Sequence, residues 1–177
     1  VEAGFASVGD LIAQHRQKAA LGEAMRLVGE ANKYVADTQP FKLKGDDPET
    51  QARLATVLHT LAQVVTDLNL MLSPFLPHAA NDVDRVLGGN GRIAPMPRIE
   101  EVDELDPERL PEAFDGRTGY PIITGDYQDA PTWERHPVTV GTPVAKPTPV
   151  FTKLDESIIE AELARYAGSV PDDVTGA

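Results

Sequence analysis

Apolar residues recur at spacings of three and four along most of the first ninety positions. That period is the signature of helices with one buried face. The clearest case is 48–72. There Leu54, Val57, Leu58, Leu61, Val64, Val65, Leu68, Met71 and Leu72 draw a wide apolar stripe. Asp47 can cap this helix, and Pro48 suits its first position. Leu61 is expected near the centre of the core, so that Leu61→Ala costs about 2–5 kcal/mol, the range for a buried leucine. A second helix is predicted over 17–38. Leu21, Met25, Val28 and Val35 form its stripe, widened by Ala24, Leu27, Ala31 and Tyr34. Asn32 falls on the same stripe, either as a structural bond to neighbouring backbone or as a site residue. A short helix over 8–14 precedes it, with Ser7 as N-cap. A fourth, 78–87, opens at Pro77 and ends at Gly88-Gly89.

After Gly89 the pattern breaks down. Ten of the fifteen prolines lie between Pro95 and Pro149, and neither helical nor strand period is sustained. Such a stretch is expected to cross a surface in extended form. The β-prone runs 121–124 and 137–140 punctuate it. The acidic run 103–114 is a candidate for local disorder, and limited proteolysis is expected to cut first within 100–117. Trp133, the only tryptophan, is expected to pin the coil to the helices, and with Val150 and Phe151 to hold 90–150 over the helices or over a missing N-terminal domain. A last short helix carries Ile158, Ile159, Leu163 and Tyr166, with Asp155 or Ser157 as its cap.

The fold class expected is therefore mainly α. An antiparallel helix bundle over 1–89 is followed by a Pro-rich extended segment over 90–150 and a C-terminal segment, 151–177, with a short helix. At 41% hydrophobic, the 177 residues can bury a core, and no apolar run is long enough to span a membrane. The absence of cysteine excludes disulfides and thiolate-bound zinc. The start, without Met or leader, reads as an internal point in a longer, cytoplasmic protein.

Net charge is −12, yet it is unevenly spread. Residues 89–177 hold −9 of it, and 15–44 hold six basic residues against three acidic. A local basic patch can attract phosphate on an acidic protein, because screening limits distant charges to about 8 Å of reach. On charge alone, a solvated helix face accounts for the same residues more simply. Inside this patch a helix meets Pro40, with Phe41 directly after it and Lys33, Lys42 and Lys44 around the break. Phe41 is open to two readings. It is a hydrophobic plug, or it is a ring presented for a nucleotide base to stack on.

No catalytic set is present. There is no phosphate loop of the G-x-x-x-x-G-K-S/T kind, no G-x-S-x-G elbow and no H-E-x-x-H. His15, His59, His78 and His136 have no metal-ligand spacing.

Three segments resemble one family. The run A-N-K-Y-V-A-D-T-Q-P-F-K, beginning at Ala31, is similar to the A-N-R-Y stretch ending in Pro-Trp of the anticodon-binding domain of methionyl-tRNA synthetases. L-S-P-F-L-P from Leu72 is similar to that family's turn between two later helices, and P-T-P-V-F-T-K-L-D from Pro147 to its closing segment. The resemblance is to the actinobacterial form of the enzyme. It implies the anticodon-binding region of a methionine–tRNA ligase, with Phe41 where the family has Trp. That exchange keeps a π-face and loses the indole N–H. It implies Phe41, Pro40, Asn32, Lys33 and Lys42 as anticodon-binding residues. The implied partners are methionine-accepting tRNA with a CAU anticodon and an N-terminal catalytic domain, in a monomer without membrane contact. The implied cofactor is ATP with Mg in the parent enzyme and none in this region, because the family's H-I/L-G-H and K-M-S-K-S signatures are absent, and no aminoacylation is expected of this chain alone. A different class also fits the composition, namely a non-enzymatic helical scaffold whose acidic Pro-rich tail docks on a partner protein.

Overall fold

The computed structural model describes residues 1–103, 119–125, 132–151 and 153–167. Two compact units are present, Val1–Pro147 and Thr148–Ala177. The described structure is mainly helical, with one small sheet.

In the first unit, α1 (Gly4–Ala13) packs on α2 (Gln17–Thr38), α2 packs on α3 (Pro48–Leu72), and α3 packs on α4 (Pro77–Val86). α1 also touches α3. The periodic stripes placed α2 and α3 at their observed bounds, because Pro40 and Pro48 punctuate both helices. Asp47 caps α3 as expected, its Oδ1 accepting the Thr50 N–H at 2.8 Å. α1 starts earlier than its expected Ser7 cap. Ala3 precedes the helix without a side-chain cap. Ser7 lies inside it and donates to Glu23 Oε1 of α2 at 3.0 Å. The buried Phe5 and Val8 pull the first turn into the helix, and burial outweighs the missing cap.

The core is where these elements converge, at Phe5, Val8, Ala20, Ala24, Leu27, Leu68, Leu70 and Met71. It sits at the C-terminal end of α3. Leu61 is half-buried and off-centre, contrary to expectation, while Met71 is fully enclosed. Leu58, Val65, Leu21 and Met25 are exposed. The apolar stripes are longer than the surface their neighbours cover. α1 and α4 have ten residues each, against 25 in α3.

Two asparagine amides replace backbone partners near α4. Asn81 Nδ2 donates to the Ala94 carbonyl at 3.1 Å and its Oδ1 accepts the Ala94 N–H at 2.8 Å. Asn69 Nδ2 donates to the Ala80 carbonyl at 2.9 Å. The first folds the chain after α4 back onto that helix, and the second ties α4 to α3.

The described residues of the Pro-rich stretch include a two-stranded sheet. β1 (Pro97–Asp103) pairs antiparallel with β2 (Gly119–Gly125), Pro97 opposite Gly125 and Asp103 opposite Gly119. The run 121–124 lies in β2, whereas 137–140 forms no strand. Prolines occupy the sheet because both strands are edges, where a missing N–H disturbs few ladder bonds. Trp133 anchors the next stretch. Its Nε1 donates to the Phe5 carbonyl at 2.7 Å, and its ring meets Phe5 edge-on, centroids 5.9 Å apart. Gly9 makes room for this contact, since a Cβ there would stand 2.6 Å from Trp133 Nε1. The proposed cleavage window and acidic run lie largely at 104–118, outside the described residues.

The second unit holds α5 (Ser157–Ala167). Asp155 Oδ1 accepts the Ser157 N–H at 3.0 Å, the capping role expected of it. Val150 and Phe151 belong to this unit. Both are exposed, Phe151 strongly so.

Gly22 and Gly29 lie on the outer face of α2, where a Cβ would meet nothing within 4 Å. Neither has left-handed backbone. Alanine suits a helix interior better than glycine by about 0.8–1 kcal/mol. Gly22→Ala and Gly29→Ala are therefore each expected to raise unfolding free energy by about 0.5–1 kcal/mol in a denaturant titration. A loss of stability would mean that this face is covered.

Candidate nucleic-acid interface

The candidate site is the exit from α2. Pro40 has no N–H and its ring restricts Gln39, so the helix cannot run on. Gln39 turns left-handed, with φ 42° and ψ 57°. Its N–H still closes the helix on the Val35 carbonyl at 2.9 Å. A 3-10 turn, Pro40–Lys42, comes immediately after it. The Lys42 N–H donates to the Gln39 carbonyl at 2.8 Å, and the Leu43 N–H to the Pro40 carbonyl at 3.1 Å. Thr38 Oγ1 donates to the Tyr34 carbonyl at 2.7 Å, drawing in the last turn of α2. The 3-10 turn packs against α3.

Phe41 is 62% exposed on this turn. A core plug would have the ring enclosed, so the plug reading does not survive. The half-buried apolar residue here is Leu43, two positions on. Pro40 is half-buried. Lys33 and Lys42 are exposed, as is Lys44. Among the described residues no ion pair holds any of the three. Asn32 is also exposed. Its assignment to the buried stripe is corrected, since it lies one position beyond the stripe that Ala24, Leu27 and Ala31 press into the protein. It shares a helix face with Ala36 and Gln39 at spacings of four and seven, the face that leads to the turn.

Farther along α2 the basic charge is already engaged. Arg26 Nε donates to Glu23 Oε2 at 2.7 Å, and Arg26 stands 3.9 Å from Glu30. The Arg26 hydrogen bond, aided by that of Ser7 and by the charge of Arg26, holds the Glu23 carboxyl down at about 2 against the cost of desolvation. The free positive charge on α2 is thus concentrated toward its two ends, Arg16 and Lys18 at one and Lys33 at the other, and only the second end carries an exposed aromatic.

Sequence reasoning did not find the polar clamp on α3. Asp67 is buried within the apolar run, and its Oδ2 accepts two hydrogen bonds from Arg135, Nε at 3.0 Å and Nη2 at 2.8 Å. Arg135 Nη1 also reaches Glu2 at 2.8 Å. Gln63 Nε2 donates to Asp67 Oδ1 at 2.8 Å, and its Oε1 accepts the Val138 N–H at 2.9 Å. The signal available was an aspartate set among Val64, Val65, Leu68 and Leu70, because a charge on a buried stripe requires a partner. Among the described residues no three His, Asp or Glu come together as metal ligands, and no helix is long and apolar enough to cross a membrane.

No family model matches the chain. Whole-sequence similarity is strong. The methionine–tRNA ligase of a Nocardioides species is 62% identical over 165 residues, which are 93% of this chain and 26% of that protein. The ligase of Beutenbergia cavernae is 54% identical over 92% of this chain and 25% of its own length. That of Salinispora arenicola is 49% identical, with 94% and 26% covered. Among solved structures, free-state Mycobacterium tuberculosis methionyl-tRNA synthetase superposes with a TM-score of 0.56 at 22% identity. The alignment covers 87% of this chain and 24% of that one, and shows a shared fold. The chain spans about a quarter of the length of the curated relatives it matches. Along nearly its whole length this chain is similar to methionine–tRNA ligases.

Proposed function

We propose that this chain is the tRNA anticodon-binding region of a methionine–tRNA ligase, the ATP-dependent enzyme that attaches methionine to its tRNA. The observation that carries the reading is Phe41, a ring held 62% exposed on a hydrogen-bonded turn, beside three lysines without ion pairs among the described residues. A base splayed from an RNA loop stacks on such a face. Lys33, Lys42 and Lys44 attract phosphates without reading sequence. Asn32, on the face leading to the turn, adds an amide able to donate and accept. Pro40 fixes the platform under the ring.

In this proposal 1–89 is the antiparallel helix bundle that presents the site. Segment 90–150 braces it, through the Trp133 and Arg135 contacts with α1 and α3. The segment 151–177 is a C-terminal appendage. The parent ligase is a cytoplasmic monomer, and its catalytic domain, with ATP and Mg, is supplied by the rest of the protein. The partner is methionine-accepting tRNA with a CAU anticodon.

Filter binding of that tRNA to the ligase, with and without a competing CAU anticodon stem-loop, tests the reading. Competition by the stem-loop, weakened when Phe41 is changed, is the expected result. A stem-loop that does not compete, or that competes equally after loss of the ring, would leave the chain a scaffold.

A further inference from the structure

We propose that Gln39 is a positioning residue whose left-handed backbone aims the Phe41 ring out of the protein. The RNA arm of this inference rests on the stacking role proposed above, while its structural arm does not. The residue before a proline is closed to the right-handed helical region, which leaves extended or left-handed backbone. An extended Gln39 would carry Pro40 and Phe41 onward from the end of α2. The left-handed choice reverses the chain within one residue. The Gln39 N–H donates to the Val35 carbonyl before it, and its carbonyl accepts the Lys42 N–H after it. Phe41 is then carried on a three-residue turn whose ends are both hydrogen-bonded.

Left-handed backbone is unfavourable for a side chain other than glycine or asparagine. Only two non-glycine residues adopt positive φ among the described residues, His15 at 58° and Gln39 at 42°. His15 separates α1 from α2 and leads within two residues into the next helix, with no aromatic beside it. Gln39 instead leads into a proline and a ring in solvent. Glycine is the usual residue for a helix end of this kind. Glycine reaches the same left-handed backbone without steric cost.

The test uses the Phe41→Trp protein and its indole N–H signals in a proton–nitrogen NMR spectrum. Two signals are present, one from Trp133 and one from the indole introduced at position 41. Trp133 is bonded to Phe5 and reports that the fold is intact. Gln39→Val puts a β-branched residue where φ is positive, and is expected to shift the introduced signal while leaving that of Trp133 in place. Pro40→Ala, which reopens the helical region to Gln39 without a bulky side chain, should also move it. Gln39→Gly should leave it near its original position. An introduced signal that stays put in both Gln39→Val and Pro40→Ala overturns the inference. In the ligase with native Phe41, Gln39→Val should lower anticodon stem-loop affinity about fivefold or more, within the range for loss of one stacked base. Phe41→Ala should add little in that background, whereas Gln39→Gly should retain affinity within about threefold. Fully additive losses from Gln39→Val and Phe41→Ala would overturn the positioning role. If Phe41→Ala alone leaves affinity unchanged while Gln39→Val still moves the indole signal, the stacking reading falls and the aiming of the ring by Gln39 stands.

Discussion

Arg135→Met should cost about 3 kcal/mol of folding stability, the lower end of the range for breaking a buried ion pair from one side. The lower end applies because Arg135 is itself 33% exposed, while the Asp67 side chain has no exposure at all. Removing the guanidinium leaves a carboxylate in the interior with Gln63 as its remaining side-chain donor. The uncompensated charge, and not the lost attraction, sets the size of the effect. Two further measurements separate this from a simple packing loss. Asp67→Leu combined with Arg135→Met should recover most of the stability, since the orphaned charge is gone. Trp133, two residues from Arg135, should become more accessible to a fluorescence quencher in the single variant, because the clamp and the indole hold the same stretch of coil to α1 and α3. A cost below about 0.5 kcal/mol, the range of surface changes, would show that Asp67 is not dry.

The same clamp shows where sequence reading stops. α2 and α3 were legible to the residue, because a stripe of period 3.6 and a proline at each break leave one solution. The extent of burial along those stripes was not. Leu61, Leu58 and Val65 repeat as regularly as Leu68 and Met71, but only Leu68 and Met71 belong to the buried core. Periodicity marks the face that turns inward and carries no information on how far a neighbour extends along it. Ser7 looked like a cap, and Phe5 and Val8 overrode it by burying the turn before it. The β1–β2 pair was missed because Pro97, Pro121 and the acidic residues of β1 hide its alternation, and edge strands tolerate both. Arg135 is 68 residues from Asp67, a pairing that no local pattern records. Of the candidate site, Phe41, Pro40 and the lysines were legible from the break itself. Whether the ring faces in or out was not, since that depends on the left-handed turn at Gln39 and on Leu43 taking the inward position.

Phe41→Ala in the ligase is expected to weaken cognate tRNA about five- to a hundredfold, the equivalent of the 1–3 kcal/mol that one base gains by stacking on an aromatic side chain. In the proposed complex the stacked base is the first of the anticodon, a cytosine splayed from the loop. Folding stability should barely change, because a ring already 62% exposed gives up little buried area. Phe41→Trp should preserve or strengthen binding through its larger π-face. Lys42→Ala gives a contrasting pattern. It should weaken all tRNAs alike and reduce the dependence of affinity on salt by about one phosphate contact. Phe41 should affect cognate tRNA more than others and leave the salt slope intact, since stacking releases no counterions. Measuring affinity at several salt concentrations for both variants, beside their unfolding midpoints, distinguishes stacking from charge and both from a folding defect. A Phe41→Ala protein with native affinity would remove the ring from the interface, whatever its exposure.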